Sequence, residues 1–176
     1  MYGMNRNQLC LVPHDPAWVG DFLVEKSRIE AVLQDSSVQI EHVGSTSIPT
    51  VHAKPILDPA ILCGKRGVEP VAEILVTLGY TYRGLSDDWS GHYYATREQN
   101  NIRLCQAHIF LEPSSDWYAY LIFRDVLREH LDLAREYDDY KISPAKAATD
   151  KSEYARLKSL WVDTFILKVY ARHTGE

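Results

Sequence analysis

The sequence lacks the features that mark a membrane, secreted or disulfide-stabilised protein. Its three cysteines, Cys10, Cys63 and Cys105, are far apart and lie in apolar surroundings, so they form neither a disulfide framework nor a CxxC metal site. No apolar run approaches the roughly 18 residues of a membrane span, and residues 1–10 lack the apolar core of a signal peptide. We therefore expect a cytoplasmic protein whose cysteines are small core residues.

An excess of charge of one sign is also missing. The 19 basic and 24 acidic side chains give a net charge of −5, which argues against a broad nucleic-acid surface and leaves room for a local cationic pocket. The hydrophobic share of 45% is typical of soluble globular proteins, and the length favours one domain over residues 1–176. Neither GxGxxG nor a P-loop is present, so dinucleotide-binding and kinase-like functions lose their main support.

The hydrophobic pattern alternates between helical and strand periods along the chain. Helices are predicted over residues 16–34 and 68–78, and strands over 38–43, 55–63 and 102–111, with two more strands around the turn 86–88 within residues 80–97. After Pro113 the chain is predicted to be helical, with an interruption at Ser143-Pro144 and a last amphipathic helix over 154–169. This order predicts an α+β fold, a mixed sheet covered by helices, with a helical C-terminal part.

The stretch from Ile40 to Asp58 carries the most chemical information. Gly44 and Ser45 follow a predicted strand and begin a turn, an arrangement that can aim N–H groups and hydroxyls at a phosphate oxygen. Lys54 adds a cation, and Asp58 is a carboxylate in an apolar run, where it needs a metal, a cation or hydrogen-bond donors. The composition alone favours an ordinary turn with a capping serine over an anion-binding turn.

These residues resemble a known family. The segment HVGSTSIPTVHAKPILD, residues 42–58, resembles the signature of the GrpB-like proteins. The similarity extends over about residues 11–170. Its other pieces are HDPAW at 14–18, QAHI at 106–109, LIFRDVLR at 121–128 and residues 154–158. GrpB-like proteins are grouped with the nucleotidyltransferase superfold, so the resemblance implies a nucleotidyltransferase-like mixed sheet.

The resemblance also implies roles for individual residues. In that superfold, Gly-Ser lies on a turn against the nucleotide triphosphate, here Gly44 and Ser45. Paired carboxylates on the next strand hold a divalent metal, and the first is Asp58. The second position is Ala60, so a Mg²⁺ site needs another acid, for which Glu112 and Glu41 are the candidates.

Other positions depart from the family pattern. Thr50 and His52 stand where small residues are usual, and Gln106 stands where a second histidine is often seen beside His108. On a strand, Gln106, His108 and Glu112 share one face. His108 is thus expected to be a metal ligand or proton carrier, or alternatively a partner that fixes Asp58 in a buried polar pair.

Arg124 and Arg128 share a helix face. They either form a salt-bridge network or bind phosphate across the pocket.

Three functional hypotheses are open at this point. The first is transfer of a nucleotidyl group from an NTP to a small-molecule or protein acceptor. In it, the turn residues Gly44 to Ser47 and Lys54 hold phosphates, Asp58 holds Mg²⁺, and His108 or a nearby acid activates the acceptor. The alternative is a non-catalytic nucleotide- or phosphate-binding module of the same fold. A third alternative is an interaction surface, for example of a homodimer.

Overall fold

A mixed β-sheet forms the centre of the protein. The computed structural model describes residues 2–5, 8, 10–86, 92–147 and 164–174. In these ranges the strands are β1 Met4–Asn5, β2 Gln39–Val43, β3 Asp58–Leu62, β4 Tyr80–Leu85, β5 Tyr93–Gln99 and β6 Ile102–Phe110. The helices are α1 Ala17–Leu33, α2 Val68–Thr77, α3 Ser115–Glu129 and α4 Leu131–Ala147, with 164–174 also helical and short 3-10 turns at Ser45–Ser47 and Gly64–Arg66.

The strand order is β2-β3-β6-β5-β4, and β1 pairs with β6. The β3–β6 pair is parallel, whereas β2–β3, β6–β5, β5–β4 and β1–β6 are antiparallel. This arrangement confirms the predicted α+β fold with a mixed sheet. None of the helices in the described ranges is both long and apolar enough to cross a membrane.

Most predicted elements are confirmed within a few residues, but two are corrected. The strand predicted from residue 55 begins at Asp58, because the Ile56 N–H bonds to the carbonyl of Lys54 at 2.7 Å and turns the chain before β3. The predicted interruption at Ser143-Pro144 is wrong, since α4 continues to Ala147. Pro144 lies in the last described turn of α4, where a proline removes a single N–H donor, so the helix continues through it. Residues 154–163 of the predicted last helix lie outside the described residues, as do turn residues 87 and 88.

The two faces of the sheet have different roles. One face packs on α1 and α2 and forms the main apolar core, which includes Ile61 and Ile109 from the two central strands. Cys63 and Cys105 lie in this core as predicted. Cys10 is exposed, which corrects the prediction that it is a core residue. The opposite face packs on α3 over part of its area and carries polar side chains elsewhere.

A buried carboxylate ties α1 to the sheet. Glu25 is 2% exposed and accepts hydrogen bonds from the hydroxyl of Tyr80 at 2.8 Å and from Arg97 Nη2 at 2.7 Å. Arg28 adds a further ion pair at 3.2 Å. A buried carboxylate with this many donors is satisfied, and removal of one partner would leave an uncompensated charge in the core.

The segment between the turn 45–47 and β3 is strained at Thr50. Thr50 has φ +71°, a left-handed conformation that is unfavourable for a β-branched residue. Its neighbours fix the conformation: Val51 is fully buried, and His52 binds Asp138 of α4 through its N–H at 2.6 Å and its ring Nδ1 at 2.7 Å. The surrounding contacts therefore hold a backbone shape that threonine alone disfavours.

Thr50→Gly is expected to stabilise the protein by about 1 kcal/mol in urea unfolding, because relief of left-handed strain exceeds the added chain entropy of glycine. Asn101→Gly is the matched control, since Asn101 has φ +62° and asparagine tolerates this region. A Thr50→Gly protein that is no more stable than the wild type would contradict this interpretation.

Candidate functional site

The site begins with a close approach between Gly44 and Asp58. Gly44 has φ +67° and follows β2 directly, where Val43 pairs with Asp58 at the start of β3. A Cβ atom on Gly44 would lie 2.3 Å from Asp58 Oδ2, which is closer than real side chains come. Glycine is therefore needed here for two reasons, the left-handed backbone and the space that the carboxylate occupies.

The hydroxyls of the turn 45–47 have different partners. Ser47 Oγ donates to the Gly44 carbonyl at 2.6 Å, and Thr46 Oγ1 lies 3.0 Å from His42 Nε2. Both side chains are buried and hold the turn from inside. Ser45 is partly exposed, and its Oγ lies 3.2 Å from the hydroxyl of Tyr137 on α4. Of the three hydroxyls predicted to meet phosphate, that of Ser45 is thus the one nearest the surface.

Asp58 is partly open to solvent and is contacted from β6. Gln106 Nε2 donates to Asp58 Oδ1 at 3.1 Å, and His108 Nε2 lies 3.6 Å from the same oxygen. The side chain of Asp58 is 16% exposed and that of His108 is 13% exposed. The structure therefore brings the predicted pair Asp58 and His108 together, beside the turn, without sealing the carboxylate away from water.

His92 completes this group and was not predicted from the sequence. It is 1% exposed, and its Nε2 lies 2.8 Å from His108 Nδ1. The hydroxyl of Tyr120 on α3 lies 3.3 Å from His108 Nδ1. The period-two pattern of the predicted strand GHYYATR was the available signal, because it sets His92 and Tyr94 on one face. The two contacts at Nδ1 fix the orientation of the His108 ring.

Arg124 is part of a salt-bridge network, which was one of the two alternatives open for it. Its Nη1 donates to Glu41 at 2.7 Å and to the His42 carbonyl at 3.2 Å, and its Nε donates to Asp125 at 2.7 Å. The residue is 9% exposed. These contacts use the guanidinium to hold α3 against β2, so the predicted phosphate role of Arg124 is not supported by its position. The contact with Arg124 also engages the carboxylate of Glu41, which was the other candidate for a second metal-binding acid beside Asp58.

Arg128 lies one turn further along α3 and contacts the candidate turn. Its Nε donates to the Ser47 carbonyl at 2.9 Å, and its side chain is 37% exposed. Asp125 approaches Nη1 at 4.0 Å, a weak contact. Burial and the neighbouring charge of Arg124 lower the pKa of Arg128 from its ordinary value. Arg128 therefore adds positive charge next to residues 44–47.

The structure separates Glu112 from Asp58, which corrects the prediction that they share a metal. Ala60 of β3 lies beside His108 of β6, and Gln106 contacts Asp58. The strand β6 runs four residues beyond Gln106 to Phe110, roughly 13 Å along the strand direction. Glu112 follows after the end of β6 and is exposed. Lys54 is partly buried in the segment that precedes β3. Within the described ranges, no three His, Cys, Asp or Glu residues form a group that could hold a metal ion.

The mixed sheet, with a Gly-Ser turn held against an aspartate at the start of the neighbouring strand, defines a protein of the nucleotidyltransferase fold. The poly(U) polymerase Cid1, crystallised with MgGTP, superposes with a TM-score of 0.51 at 10% identity, over 75% of this chain and 44% of Cid1. At this identity the likeness concerns the fold alone.

The chain belongs to the GrpB family, whose family model, described as GrpB protein, matches residues 8–168. The crystal structure of GrpB from Enterococcus faecalis superposes with a TM-score of 0.77 at 26% identity, over 93% of this chain and 99% of that protein. The prediction that the chain is GrpB-like is confirmed.

The relatives differ in length. The glutamate-rich protein GrpB of Alkalihalophilus pseudofirmus is 28% identical over 94% of this chain and 98% of its own length. The UPF0157 protein YqkA of Bacillus subtilis is 30% identical over 88% of this chain. This chain spans 45% of YqkA and 62% of a UPF0157 protein of Pseudomonas aeruginosa. Some relatives therefore extend well beyond the part that matches this chain.

Gly44→Ala is expected to destabilise the protein more than Gly79→Ala, by about 1–3 kcal/mol in chemical unfolding. Both glycines have positive φ, +67° and +84°, but a Cβ on Gly79 has no atom within 4 Å. Gly79→Ala thus measures backbone strain, and the difference between the variants measures the collision with Asp58. Equal losses for the two variants would show that Asp58 is not held against Gly44.

His42 is expected to make stability depend on pH. Burial, assisted by Arg128 and Arg124 and opposed by Asp58, lowers its pKa from 6.5 to about 4. Its ring stacks on Phe22 with centroids 4.4 Å apart. Because the unfolded chain binds a proton at higher pH than the folded protein, stability is full above pH 6.5 and falls as the pH drops toward 4, by on the order of 3 kcal/mol.

The measurement is urea unfolding from pH 7 to pH 4. His42→Phe keeps a ring on Phe22 and removes the titrating group, so the slope of stability against pH should decrease over this range. His173→Gln alters an exposed histidine and should leave the slope unchanged. A His42→Phe slope equal to that of the wild type would contradict the assignment.

Proposed function

We propose that this site binds the phosphates of a nucleoside triphosphate and transfers its nucleotidyl group to an acceptor. The single observation that carries the proposal is the meeting of a glycine turn and a partly exposed carboxylate, Gly44 and Asp58, at the edge of a nucleotidyltransferase-fold sheet. A structural carboxylate could be enclosed by donors, whereas this one keeps part of its surface open beside a turn suited to anions.

Phosphate binding is assigned to the turn and to Arg128. The first N–H groups of a helical turn have no partner inside the turn, so those of Ser45 and Thr46 are suited to donate to phosphate oxygens. The Ser45 hydroxyl adds a donor, and Arg128 adds positive charge from the other side of the turn. Lys54 precedes β3 and is proposed as a further cation for the phosphates. This local positive charge is needed in a chain with a net charge of −5.

Asp58 is proposed to hold a Mg²⁺ ion together with the nucleotide. Mg²⁺ is commonly held by one or two carboxylates together with substrate phosphates and water, and Asp58, as a hard oxygen donor, fits one such ligand. Gln106 binds Oδ1, so Oδ2, on the Gly44 side, is the oxygen assigned to the metal. When bound, the ion would neutralise charge on the phosphates and polarise the phosphorus–oxygen bond.

The acceptor is proposed to react next to His108. The hydroxyl or amine of the acceptor attacks the α-phosphorus of the nucleotide. The bond between the α-phosphorus and the oxygen that bridges to the β-phosphorus breaks, and pyrophosphate leaves with the electron pair of that bond. His108 takes the acceptor proton at Nε2 in the tautomer whose Nδ1–H donates to His92. The resulting imidazolium is then stabilised by Asp58, whose carboxylate lies 3.6 Å away.

A second candidate function is a binding module that holds nucleotide or phosphate without catalysis. The observation that favours it is Ala60, which is fully buried beside His108 where the superfold places a second metal carboxylate. A single aspartate binds Mg²⁺ less firmly than a pair, and the nearby Gln106 does not supply the missing charge.

The test is calorimetry with ATP, GTP and CTP, with and without Mg²⁺, together with detection of released pyrophosphate. Asp58→Asn is expected to abolish Mg²⁺-dependent transfer and to weaken Mg²⁺-NTP binding by at least about tenfold, about 1.4 kcal/mol. Asp139→Asn, at an exposed position on α4, is the matched control and should behave like the wild type.

The possible outcomes separate the candidate functions. Nucleotide affinity without turnover and without dependence on Mg²⁺ favours the binding module. Unchanged turnover in Asp58→Asn removes the proposed mechanism, and a wild-type protein with no affinity for any nucleotide defeats both functions.

A further inference from the structure

Part of the polar face of the sheet is not covered by α3. Trp117 of α3 packs with Ala60, Leu62 and Phe110 in a small apolar cluster at one end of β3 and β6. Toward the start of β3 the same face carries Asp58, where the side chains are polar and partly exposed rather than packed under the helix. This part of the sheet, which α3 does not cover, is called the polar shelf below. Its residues on four strands are Arg83, Thr96, Glu98, Arg103, Gln106 and Asp58.

The polar shelf contains a row of contacts that crosses the sheet. Arg83 Nε donates to Thr96 Oγ1 at 3.3 Å, from β4 to β5. Thr96 is directly opposite Gln106 on β6, and Gln106 donates to Asp58 on β3. Since neighbouring strands are about 4.8 Å apart, Thr96 lies about 10 Å from Asp58. The row therefore places a guanidinium at one end and the candidate reactive carboxylate at the other.

The two arginines of the polar shelf differ in their charged partners. Arg103 is paired with Glu98 at 2.7 Å and also donates to Gln106 Oε1 at 3.3 Å. This second contact fixes the Gln106 amide, so that its NH₂ group faces Asp58. Arg83 has no carboxylate within ion-pair distance among the described residues. It is exposed, and its Nε is anchored on Thr96, which is 1% exposed.

We propose that the polar shelf is the acceptor site and that the acceptor is a small molecule with an anionic group, phosphate or carboxylate, which Arg83 binds. The inference rests on the proposed function, because it assigns the acceptor of that same reaction. With Nε held by Thr96, the two Nη groups of Arg83 present a planar fork that matches either anion. The hydroxyl or amine at the other end of the acceptor then lies next to Asp58 and His108, about 10 Å from Thr96.

Anion binding by Arg83 is tested with three probes that share a hydroxylated three-carbon skeleton and are too short to reach Asp58: glycerol 3-phosphate, glycerate and glycerol. Each is titrated by calorimetry into the full-length protein, once alone and once with a non-hydrolysable NTP and Mg²⁺. The Nε–H signal of Arg83 is followed by NMR in the same titrations. The variants are Arg83→Gln, Arg83→Lys and the control Arg135→Gln, which removes an exposed arginine of α4.

At least one anionic probe is expected to bind more tightly than glycerol, and the tighter of the two identifies the anionic group. Arg83→Gln should weaken that binding at least tenfold, Arg83→Lys should weaken it less, and Arg135→Gln should leave it unchanged. The Nε–H signal of Arg83 should shift with saturation.

Equal affinity of Arg83→Gln and the wild type for the anionic probes would overturn the inference. A wild type that prefers neither anion over glycerol would also overturn it. Nucleotide affinity is measured separately on the same samples. Its absence in the wild type counts against the proposed function, whereas unchanged anion binding in Arg83→Gln counts against the acceptor site alone.

Discussion

The contact between the Gly44 backbone and the Asp58 carboxylate is the constraint on which the rest of the site depends. A left-handed glycine lets the chain leave β2 and turn across the start of β3 without a side chain in the space that Oδ2 occupies. Any other residue would push the turn away from the aspartate. The turn that is proposed to bind phosphate and the Asp58 carboxylate are therefore brought together by the backbone itself.

The helices on the polar face serve to fix this contact. Arg124 ties α3 to β2 through Glu41 and the His42 carbonyl, and Arg128 holds the end of the turn. Tyr137 of α4 contacts Ser45 from another direction. The turn is thus supported from two helices, which suits the proposed binding of a charged ligand without rearrangement. On the opposite face of the sheet, the buried ring of His42 forms a hydrogen bond with the hydroxyl of Thr46 and supports the turn from that side.

The sequence was sufficient to predict most elements of the fold and the two central residues, Gly44 and Asp58. Local periodicity and turn chemistry determine those features. It could not predict contacts set by distant pairing: Arg124 meets Glu41 across 83 positions. The parallel register of β3 and β6 decides that His108 lies near Asp58 and that Glu112 does not. Alternation within a strand shows which side chains share a face, but not which neighbour they meet.

The most direct measurement is a crystal structure of the protein with a non-hydrolysable nucleoside triphosphate and Mn²⁺, located by its anomalous signal. The account predicts Mn²⁺ coordinated by Asp58 Oδ2, with phosphate oxygens bound by the N–H groups of Ser45 and Thr46. A nucleotide bound elsewhere, or one at the turn whose metal has no contact with Asp58, would contradict it.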